Sequence, residues 1–460
     1  MTGDKRMELS VRSERAILVS VILPNSTADV DAPLDELASL AKTAGATVVD
    51  RVTQQRSSID SGTFIGRGKV SEIAELVKHH NADVVIFDHD LSPNQLRDVE
   101  KICNCKILDR SELILDIFAT RARTAEAQLQ VGLAQLEYTY PRLRHMWSHL
   151  ERIGAGAGAG VGARGPGEMQ LEIDRRLVRE KVSDLKKRIA EVQSRKSREV
   201  ASRRETHFTV SLVGYTNAGK STLFNTLTGA KTFVEDRLFA TLDTKTRRWK
   251  LGEAHWALIS DTVGFVRDLP HHLVASFKAT LEEATHADLL LVVLDVSDTR
   301  AWAQLKSVHA VLLEIGCADQ QAILVLNKMD ALTRTEDLTF WRTRFPQAME
   351  VSAKQGTGAA RLADVVRQHM LGDLFRVTVA LNLADTRGIT FLEKFSQVQS
   401  RDYDSNPESV TFECRISGRI LEQMYHQADH AQVLKKRRLK PGAELMHGVF
   451  IKDLLPQDIP

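Results

Sequence analysis

The octapeptide Gly214-Tyr215-Thr216-Asn217-Ala218-Gly219-Lys220-Ser221 has the spacing G-x-x-x-x-G-K-[ST]. It follows an apolar run over 207–213 and leads into 222–227, which favours the start of a helix. Glycines let the backbone amides turn towards an anion, and a helix N-terminus adds positive potential. Lys220 would then meet the β- and γ-phosphates, and Ser221 would be a Mg²⁺ ligand. The octapeptide therefore predicts a nucleoside triphosphate site; a glycine turn before an ordinary helix is the alternative.

Three shorter motifs each follow the apolar run of a predicted strand. They are Asp261-Thr262-Val263-Gly264, Asn327-Lys328-Met329-Asp330 and Ser352-Ala353-Lys354. Asp261 would reach the Mg²⁺ through water, and Gly264 lets its amide approach the γ-phosphate. The Asp330 carboxylate can accept two hydrogen bonds from guanine that adenine does not offer, although it could also cap a helix. An amide of the third motif can donate to the guanine carbonyl. Because ligands of open α/β sheets lie at the carboxyl ends of strands, the four motifs predict a GTP-binding domain.

The segment over 238–246 is the candidate for sensing the γ-phosphate. We assign Phe239-Ala240-Thr241-Leu242-Asp243 to the nucleotide and Thr241 to the metal, with Thr244 and Thr246 as alternatives. Lys220, Thr241 and Gly264 form the candidate catalytic set. Phe265 follows the glycine, and its ring cannot polarise water, so unassisted hydrolysis is expected to be slow unless a partner or a rearranged loop places the water. A packing role for Phe265 is equally open.

Composition is that of a globular protein. The chain has 460 residues, 43% hydrophobic and 27% charged, which suggests about three domains. Its longest apolar run, 287–296, contains two aspartates and is too short to span a bilayer. The first ten residues are polar, so no secretory signal is expected, and the four cysteines lack metal-binding spacing. We expect a cytoplasmic, monomeric protein with reduced thiols and without stable membrane insertion.

Strand-like and helix-like segments alternate, which indicates an α/β protein with a parallel sheet. We expect an N-terminal α/β domain over 1–110 and a helical hairpin over 111–205 with a glycine-rich tip loop at 153–167. A P-loop GTPase domain over 206–372 and a small α+β module over 373–460 would follow. In the first domain, Gly66-Arg67-Gly68-Lys69 before a helix is either a simple turn or an anion site.

Two runs of apolar residues at heptad spacing flank the glycine- and alanine-rich segment 154–167. They are Leu129, Leu133, Leu136, Tyr140, Leu143, Trp147 and Leu150, then Leu171, Val178, Val182, Leu185, Ile189 and Val192. This pattern predicts a helical hairpin packed as an antiparallel coiled coil, with a kink at Pro141. Residues 142–204 contain 16 Lys and Arg against 8 Asp and Glu. The excess favours RNA as a partner, with a solvated charged helix as the alternative.

The chain closely resembles the HflX family of ribosome-associated GTPases. The resemblance rests on TFIGRGK (63–69), FDHDLSP (87–93), DRSELILD (109–116), RGPGE (164–168), DRR (174–176), FATLD (239–243) and DTVGF (261–265). It covers roughly the first 370 residues, and Phe265 is what the family leads one to expect. Three departures are the lengthened Gly/Ala tip, Met169 in place of a usual threonine, and Thr244 in place of a usual proline. They bear on the reach of the tip and on the geometry around Thr241.

The resemblance implies a GTP/GDP cycle with Mg²⁺ on the 50S ribosomal subunit. Family members reach towards the peptidyl transferase region of the 23S rRNA with the hairpin tip, which here carries Arg164; Arg175 and Arg176 are further candidate RNA contacts. They act in splitting or rescue of stalled ribosomes, in recycling or in subunit biogenesis, and subunits would stimulate a slow GTPase.

Two other functions fit the motifs. An RNA-processing or tRNA-modification GTPase would present RNA with the hairpin, and a membrane-peripheral or scaffolding G protein would grip another coiled coil. The basic cluster Lys435-Lys436-Arg437-Arg438 in the last module either contacts RNA or is merely solvated.

Overall fold

The computed structural model describes residues 13–24, 32–138, 166–230, 238–239, 244–252, 255–267, 283–332, 335–372, 374–403, 408–427, 431–438 and 448–455. The kink predicted at Pro141 and most of the tip loop lie outside these ranges, as do residues 240–243 of the candidate γ-phosphate segment. Within them the chain forms three sheets.

The first sheet is parallel and lies between helices. Its elements are β1 (Arg15–Ile22), α1 (Asp35–Ala44), β2 (Thr47–Gln55), α2 (Arg67–His80), β3 (Val84–Phe87), α3 (Pro93–Cys103), β4 (Lys106–Leu108) and α4 (Arg110–Arg121). The strand order is β2-β1-β3-β4, and all three pairings are parallel. Strand β3 is buried at all four residues, because helices cover both faces of a parallel sheet. The predicted α/β class with a parallel N-terminal sheet is confirmed.

Helix α4 packs against α1 and β3. Leu113, Ile114 and Ile117 on it are fully buried. The next helix, α5, begins at residue 125 and is described as far as residue 138. We therefore propose that the first domain ends after α4 rather than at residue 110.

Helix α6 (Pro166–Thr206) is one helix of 41 residues. Pro166 and Gly167, which the predicted tip loop includes, are instead its first residues, since proline is tolerated in the first turn of a helix. Its heptad residues Val178, Val182, Leu185, Ile189 and Val192 are half-buried or buried. Lys186 Nζ lies 2.7 Å from Glu137 Oε1, so α6 contacts α5. The antiparallel coiled coil stays a prediction, because residues 139–165 lie outside the described ranges.

The second sheet contains seven strands, of which six lie between residues 209 and 350; the seventh, Val449–Phe450, is described below. Its elements are β5 (Thr209–Gly214), α7 (Lys220–Thr228), β6 (Lys245–Lys250), β7 (Trp256–Asp261), β8 (Leu289–Asp295), α8 (Ala301–Glu314), β9 (Gln321–Asn327), α9 (Thr335–Arg344), β10 (Met349–Glu350) and α10 (Ala359–Leu371). The order β10-β9-β8-β5-β7-β6 is parallel except for β6, which runs antiparallel to β7. Every residue of the central strand β8 is buried.

The third sheet is antiparallel and forms the C-terminal module. Its elements are β11 (Leu374–Asn382), α11 (Thr386–Phe395), β12 (Gln397–Asp402), β13 (Ser409–Ser417), α12 (Gly418–Gln427) and β14 (Gln432–Arg438), and the strand order is β12-β13-β11-β14. The basic cluster over 435–438 lies on β14, a strand that the sequence does not predict. Strand β12 was also missed.

The last described segment returns to the second sheet. Strand β15 (Val449–Phe450) pairs antiparallel with β9 at Ala322 and Gln321. Ile451 is fully buried, and its amide donates to the Gln320 carbonyl oxygen at 2.9 Å. Residues 448–455 therefore lie on the second sheet, whereas the sequence predicts a small module over the whole of 373–460.

Candidate nucleotide-binding site

The octapeptide 214–221, which we call the phosphate loop, runs from the carboxyl end of β5 into the first turn of α7. Gly214 has φ +149°, and a Cβ there would lie 2.2 Å from the Val293 carbonyl oxygen. Gly219 has φ +91°, and its Cβ would lie 2.3 Å from Asn327 Nδ2. Both positions therefore require glycine for backbone conformation and for space. Strand β5 lies between β8 and β7, so the loop occupies the middle of the sheet edge.

Lys220 is held by the carbonyl groups of its own loop. It is 6% exposed, and its ammonium donates to Gly214 O at 3.0 Å and to Tyr215 O at 2.7 Å. Burial lowers the pKa of Lys220 to about 8, while the Asp261 carboxylate acts in the opposite direction. Phosphate oxygens would be stronger acceptors than these carbonyls, because they carry charge.

Ser221 and Asp261, the two candidate metal-site residues that the structure describes, lie together. Ser221 Oγ donates to Asp261 Oδ2 at 2.7 Å. Hydroxyl and carboxylate oxygens are the ligands that Mg²⁺ prefers. In the described ranges, no group of three or more His, Cys, Asp or Glu residues could hold a metal ion unaided. The Ser221 hydroxyl and the Asp261 carboxylate therefore fit a Mg²⁺ site, whose remaining oxygens would come from a further protein hydroxyl, from phosphates and from water.

The side-chain hydroxyl of Thr216 is buried inside the loop. The residue is 6% exposed, and Thr216 Oγ1 has no hydrogen-bond partner among the described residues. A buried hydroxyl without a partner costs folding free energy, about 1–3 kcal/mol. This orphaned donor is compatible with a ligand that binds in the loop.

The turn after β7 packs directly on the phosphate loop. Thr262 is buried and donates to Leu212 O at 2.6 Å, and Val263 is 6% exposed, so their side chains hold the turn. A Cβ at Gly264 would lie 2.8 Å from Thr216 Cα and 2.9 Å from Lys220 Nζ. Only glycine fits between this turn and the loop.

Phe265 packs in the core beneath the loop. It is 2% exposed, its amide donates to Gly214 O at 3.1 Å, and its carbonyl accepts from Thr216 N at 2.7 Å. These two hydrogen bonds join the turn after β7 to Gly214 and Thr216 of the phosphate loop. They support the packing role that the sequence left open.

Replacing Phe265 with serine is expected to lower the free energy of unfolding by about 3–5 kcal/mol, because a buried phenyl ring is lost. Turnover per folded molecule should stay unchanged, since the ring offers no group that could position water. Urea denaturation and GTP hydrolysis by the native fraction would measure both quantities. Phe395→Ser is the control, because Phe395 is 44% exposed. A stable Phe265→Ser protein with altered turnover would contradict the packing role.

Asn327 links the phosphate loop to the third motif. Its Nδ2 donates to Ala218 O at 2.8 Å, and its Oδ1 accepts from Ala353 N at 3.0 Å. It is 1% exposed at the end of β9. Asn327 therefore orients two loops and does not project into the solvent.

Asp330 is an exposed carboxylate beside the third motif. Ser352 Oγ donates to Asp330 Oδ1 at 2.6 Å. This hydrogen bond lowers the pKa of Asp330, and the charges of Lys354 and Lys328 act in the same direction. Lys328 Nζ lies 2.7 Å from Asp295 Oδ2. The second motif thus presents an ionised acceptor at the edge of the site, with Met329 between Lys328 and Asp330.

The first sheet contacts the phosphate loop through a cluster of charged residues and Tyr215 that the sequence does not predict. Tyr215 donates through its hydroxyl to Glu36 Oε1 and accepts from Arg267 N, both at 2.6 Å. Arg110 is 2% exposed and lies 2.6 Å from Asp88 and 2.9 Å from Glu36. Arg267 Nη2 lies 2.9 Å from Asp88 Oδ2. No motif or spacing in the sequence indicates that Tyr215 lies close to Glu36 and Asp88.

The remaining candidate residues are placed only in part. Phe239 is 2% exposed, with its ring centroid 4.6 Å from that of Phe118 of α4. Ala240, Thr241, Leu242, Asp243 and Arg164 lie outside the described residues, as does the side chain of Arg175. Asn217 has φ +61° within the phosphate loop. Arg176 is exposed on α6, 3.6 Å from Glu180.

Known proteins match most of the chain. Three family models match it: the N-terminal region of GTP-binding GTPases at 31–119, their middle region at 121–203, and a 50S ribosome-binding GTPase at 209–328. GTPase HflX of Escherichia coli strain K12 is 41% identical over 408 residues, which are 88% of this chain and 93% of that protein. GTPase HflX of Caldanaerobacter subterraneus subsp. tengcongensis is 40% identical over 421 residues, 91% and 95% of the two chains. The chain belongs to the HflX family of GTPases.

As a member of the HflX family with a matching GTPase domain, the chain is a GTP-hydrolysing enzyme. A GTP-binding protein of Sulfolobus solfataricus, solved in complex with GDP, is 21% identical and covers 77% of this chain and 98% of its own, with a TM-score of 0.42. That likeness is too low to carry a functional argument. In the described ranges, no helix has the length and apolar character needed to cross a membrane.

Proposed function

We propose that this HflX-family GTPase is a nucleotide-controlled factor of the 50S ribosomal subunit that acts in translation. Its role would be the splitting or rescue of stalled ribosomes, recycling or subunit biogenesis. The observation that carries the proposal is the match of residues 209–328 to the family model for 50S ribosome-binding GTPases. We further propose that the protein acts in the cytoplasm as a monomer.

The positions of Lys220, Ser221, Asp261 and Asp330 support a specific division of roles, to which we add Thr241 from the sequence. Lys220 meets the β- and γ-phosphates, and the amides of the phosphate loop and of Gly264 surround them. Ser221 and Thr241 would be direct Mg²⁺ ligands, with Asp261 acting through water. The ion, when bound, would supply positive charge that stabilises the phosphate oxygens. Asp330 reads the guanine edge, and Asn327 holds the loops that surround the base.

Hydrolysis is proposed to be slow without the ribosome. Phe265 occupies the position where a water-orienting side chain would stand, and it is 2% exposed in the core. A group from the subunit, or a rearranged loop, would therefore have to place the attacking water.

Helix α6 supports an RNA partner. Its basic residues include Arg176, Arg179, Lys181, Lys186, Lys187, Arg188, Arg195 and Arg198, all exposed. Exposed guanidinium and ammonium groups can replace the counterions of RNA phosphates. We propose that this helix, together with Arg164 and Arg175, lies against the 23S rRNA near the peptidyl transferase region.

Sedimentation with purified 50S subunits tests this function. We expect at least about tenfold tighter binding with a non-hydrolysable GTP analogue than with GDP, a coupling of roughly 1.4 kcal/mol. GTP turnover should also rise when subunits are added. Lys220→Ala is the control, because its binding should not respond to nucleotide. Equal binding of the parent protein in both nucleotide states would overturn the proposed switch, and binding to small RNA but not to subunits would favour an RNA-processing GTPase.

A further inference from the structure

The C-terminal module has one covered face and one open face. In chain order its elements are strand, helix, strand, strand, helix, strand, and the antiparallel sheet has the order β12-β13-β11-β14. Alternate residues of β11 and β13 are buried with residues of α11 and α12, among them Val377, Phe412, Leu392 and Met424. The side chains at the intervening strand positions point to the other face, because successive residues of a strand alternate.

The open face carries a row of three arginines. Arg376 of β11 pairs with Arg415 of β13 on one side and with Arg437 of β14 on the other. Partners directly opposite each other in antiparallel strands have their side chains on the same face. All three arginines are exposed. We call Arg376, Arg415 and Arg437 the arginine row.

The row is not explained by the stability of the sheet. Like charges placed directly opposite each other on neighbouring strands are destabilising. One carboxylate, Glu413, lies 3.8 Å from Arg376, and Lys435 adds a further positive charge on the next pair of the same face. Three guanidinium groups on neighbouring strands span roughly 10 Å, since strands lie about 4.8 Å apart. That is enough for about three successive phosphates of one strand.

We propose that the arginine row binds the phosphate backbone of RNA. Arginine matches phosphate through two parallel N–H bonds, so a row of arginines is suited to a chain of phosphates. None of the described strand residues paired across the open face is aromatic. Recognition therefore depends on the backbone rather than on stacking of bases. The proposal shares its class of partner with the proposed function but places the contact on a second surface, which requires neither ribosomes nor GTP hydrolysis.

Two triple variants of the full chain test the row. The first neutralises it (Arg376→Gln, Arg415→Gln, Arg437→Gln). The matched control removes three positive charges from the helix-covered side of the same module (Arg387→Gln, Lys394→Gln, Arg401→Gln). Fluorescence anisotropy with a labelled RNA hairpin, in GDP and over a range of salt concentrations, would measure affinity.

For the row variant we expect at least about tenfold weaker RNA binding. The slope of log affinity against log salt concentration should be smaller by about 2–3, because three phosphate contacts are lost. The control should stay within about twofold of the parent protein. The Tm of the row variant at low salt should be unchanged or higher, since repulsion between arginines is relieved. An unchanged affinity and slope, or a lower Tm, would overturn the proposal. Loss of 50S binding with intact RNA binding would also overturn it, since the row would then contact a protein.

Discussion

Lys220→Ala is expected to weaken GTP and GDP binding at least about a hundredfold. The ammonium lies in the phosphate loop, is 6% exposed and donates to the neutral carbonyl groups of Gly214 and Tyr215. Bound phosphates would replace these acceptors, and each hydrogen bond involving a charged group contributes about 1.5–3 kcal/mol. A hundredfold loss corresponds to about 2.7 kcal/mol. Isothermal titration calorimetry with each nucleotide would measure it.

Lys250→Ala is the matched control for Lys220→Ala, because Lys250 is an exposed lysine of β6. Its nucleotide affinity should equal that of the parent protein. The Lys220→Ala protein should remain folded without nucleotide, since the substitution removes a buried ammonium whose charged form is disfavoured by burial. A GTP affinity within about tenfold of the parent would contradict the assignment of this lysine to the phosphates.

Asp330→Asn is expected to shift base preference from guanine to xanthine. The carboxylate of Asp330 is exposed and stays ionised beside Ser352 and Lys354. Guanine would donate two N–H groups to it, whereas an asparagine amide presents a donor to one of them. Since each bond to a charged acceptor contributes about 1.5–3 kcal/mol, GTP affinity should fall about a hundredfold or more. Xanthosine triphosphate, which has a carbonyl in place of the exocyclic amine, should then bind better than GTP.

Competition between the two nucleotides for a fluorescent GDP analogue would measure this preference. Asp364→Asn provides the same chemical change on α10, where Asp364 pairs with Arg367 at 2.9 Å, away from the four motifs. Its preference should remain for guanine. Retention of full GTP selectivity by Asp330→Asn would show that another group reads the base.

The sequence was sufficient for the parts of the site that depend on local pattern. Apolar runs predicted β5, β7, β9 and β10, and the motifs at their carboxyl ends lie together because parallel strands end at one edge. Gly214, Gly219 and Gly264, which the motifs single out, lie where the surroundings leave no room for a Cβ. The same pattern predicted the parallel first sheet.

Contacts between distant elements could not be predicted. Glu36 and Tyr215 are 179 positions apart, and their hydrogen bond depends on how the first sheet docks on the second. Strand β14 was missed because Lys435, Lys436, Arg437 and Arg438 make a run without apolar alternation. Its structure comes from pairing with β11, a tertiary effect that outweighs local propensity. Strand β15, with two residues, is too short for any periodic signal.

The return of residues 448–455 to β9 makes the C-terminal module topologically an insertion. The chain leaves the nucleotide-binding domain after α10 and comes back to it at β15. The module is therefore joined to the nucleotide-binding domain by two chain segments. Strand β9 receives the returning chain near one end and carries Asn327 at the other. A force on the inserted module would therefore be transmitted to β9, the strand that ends at Asn327.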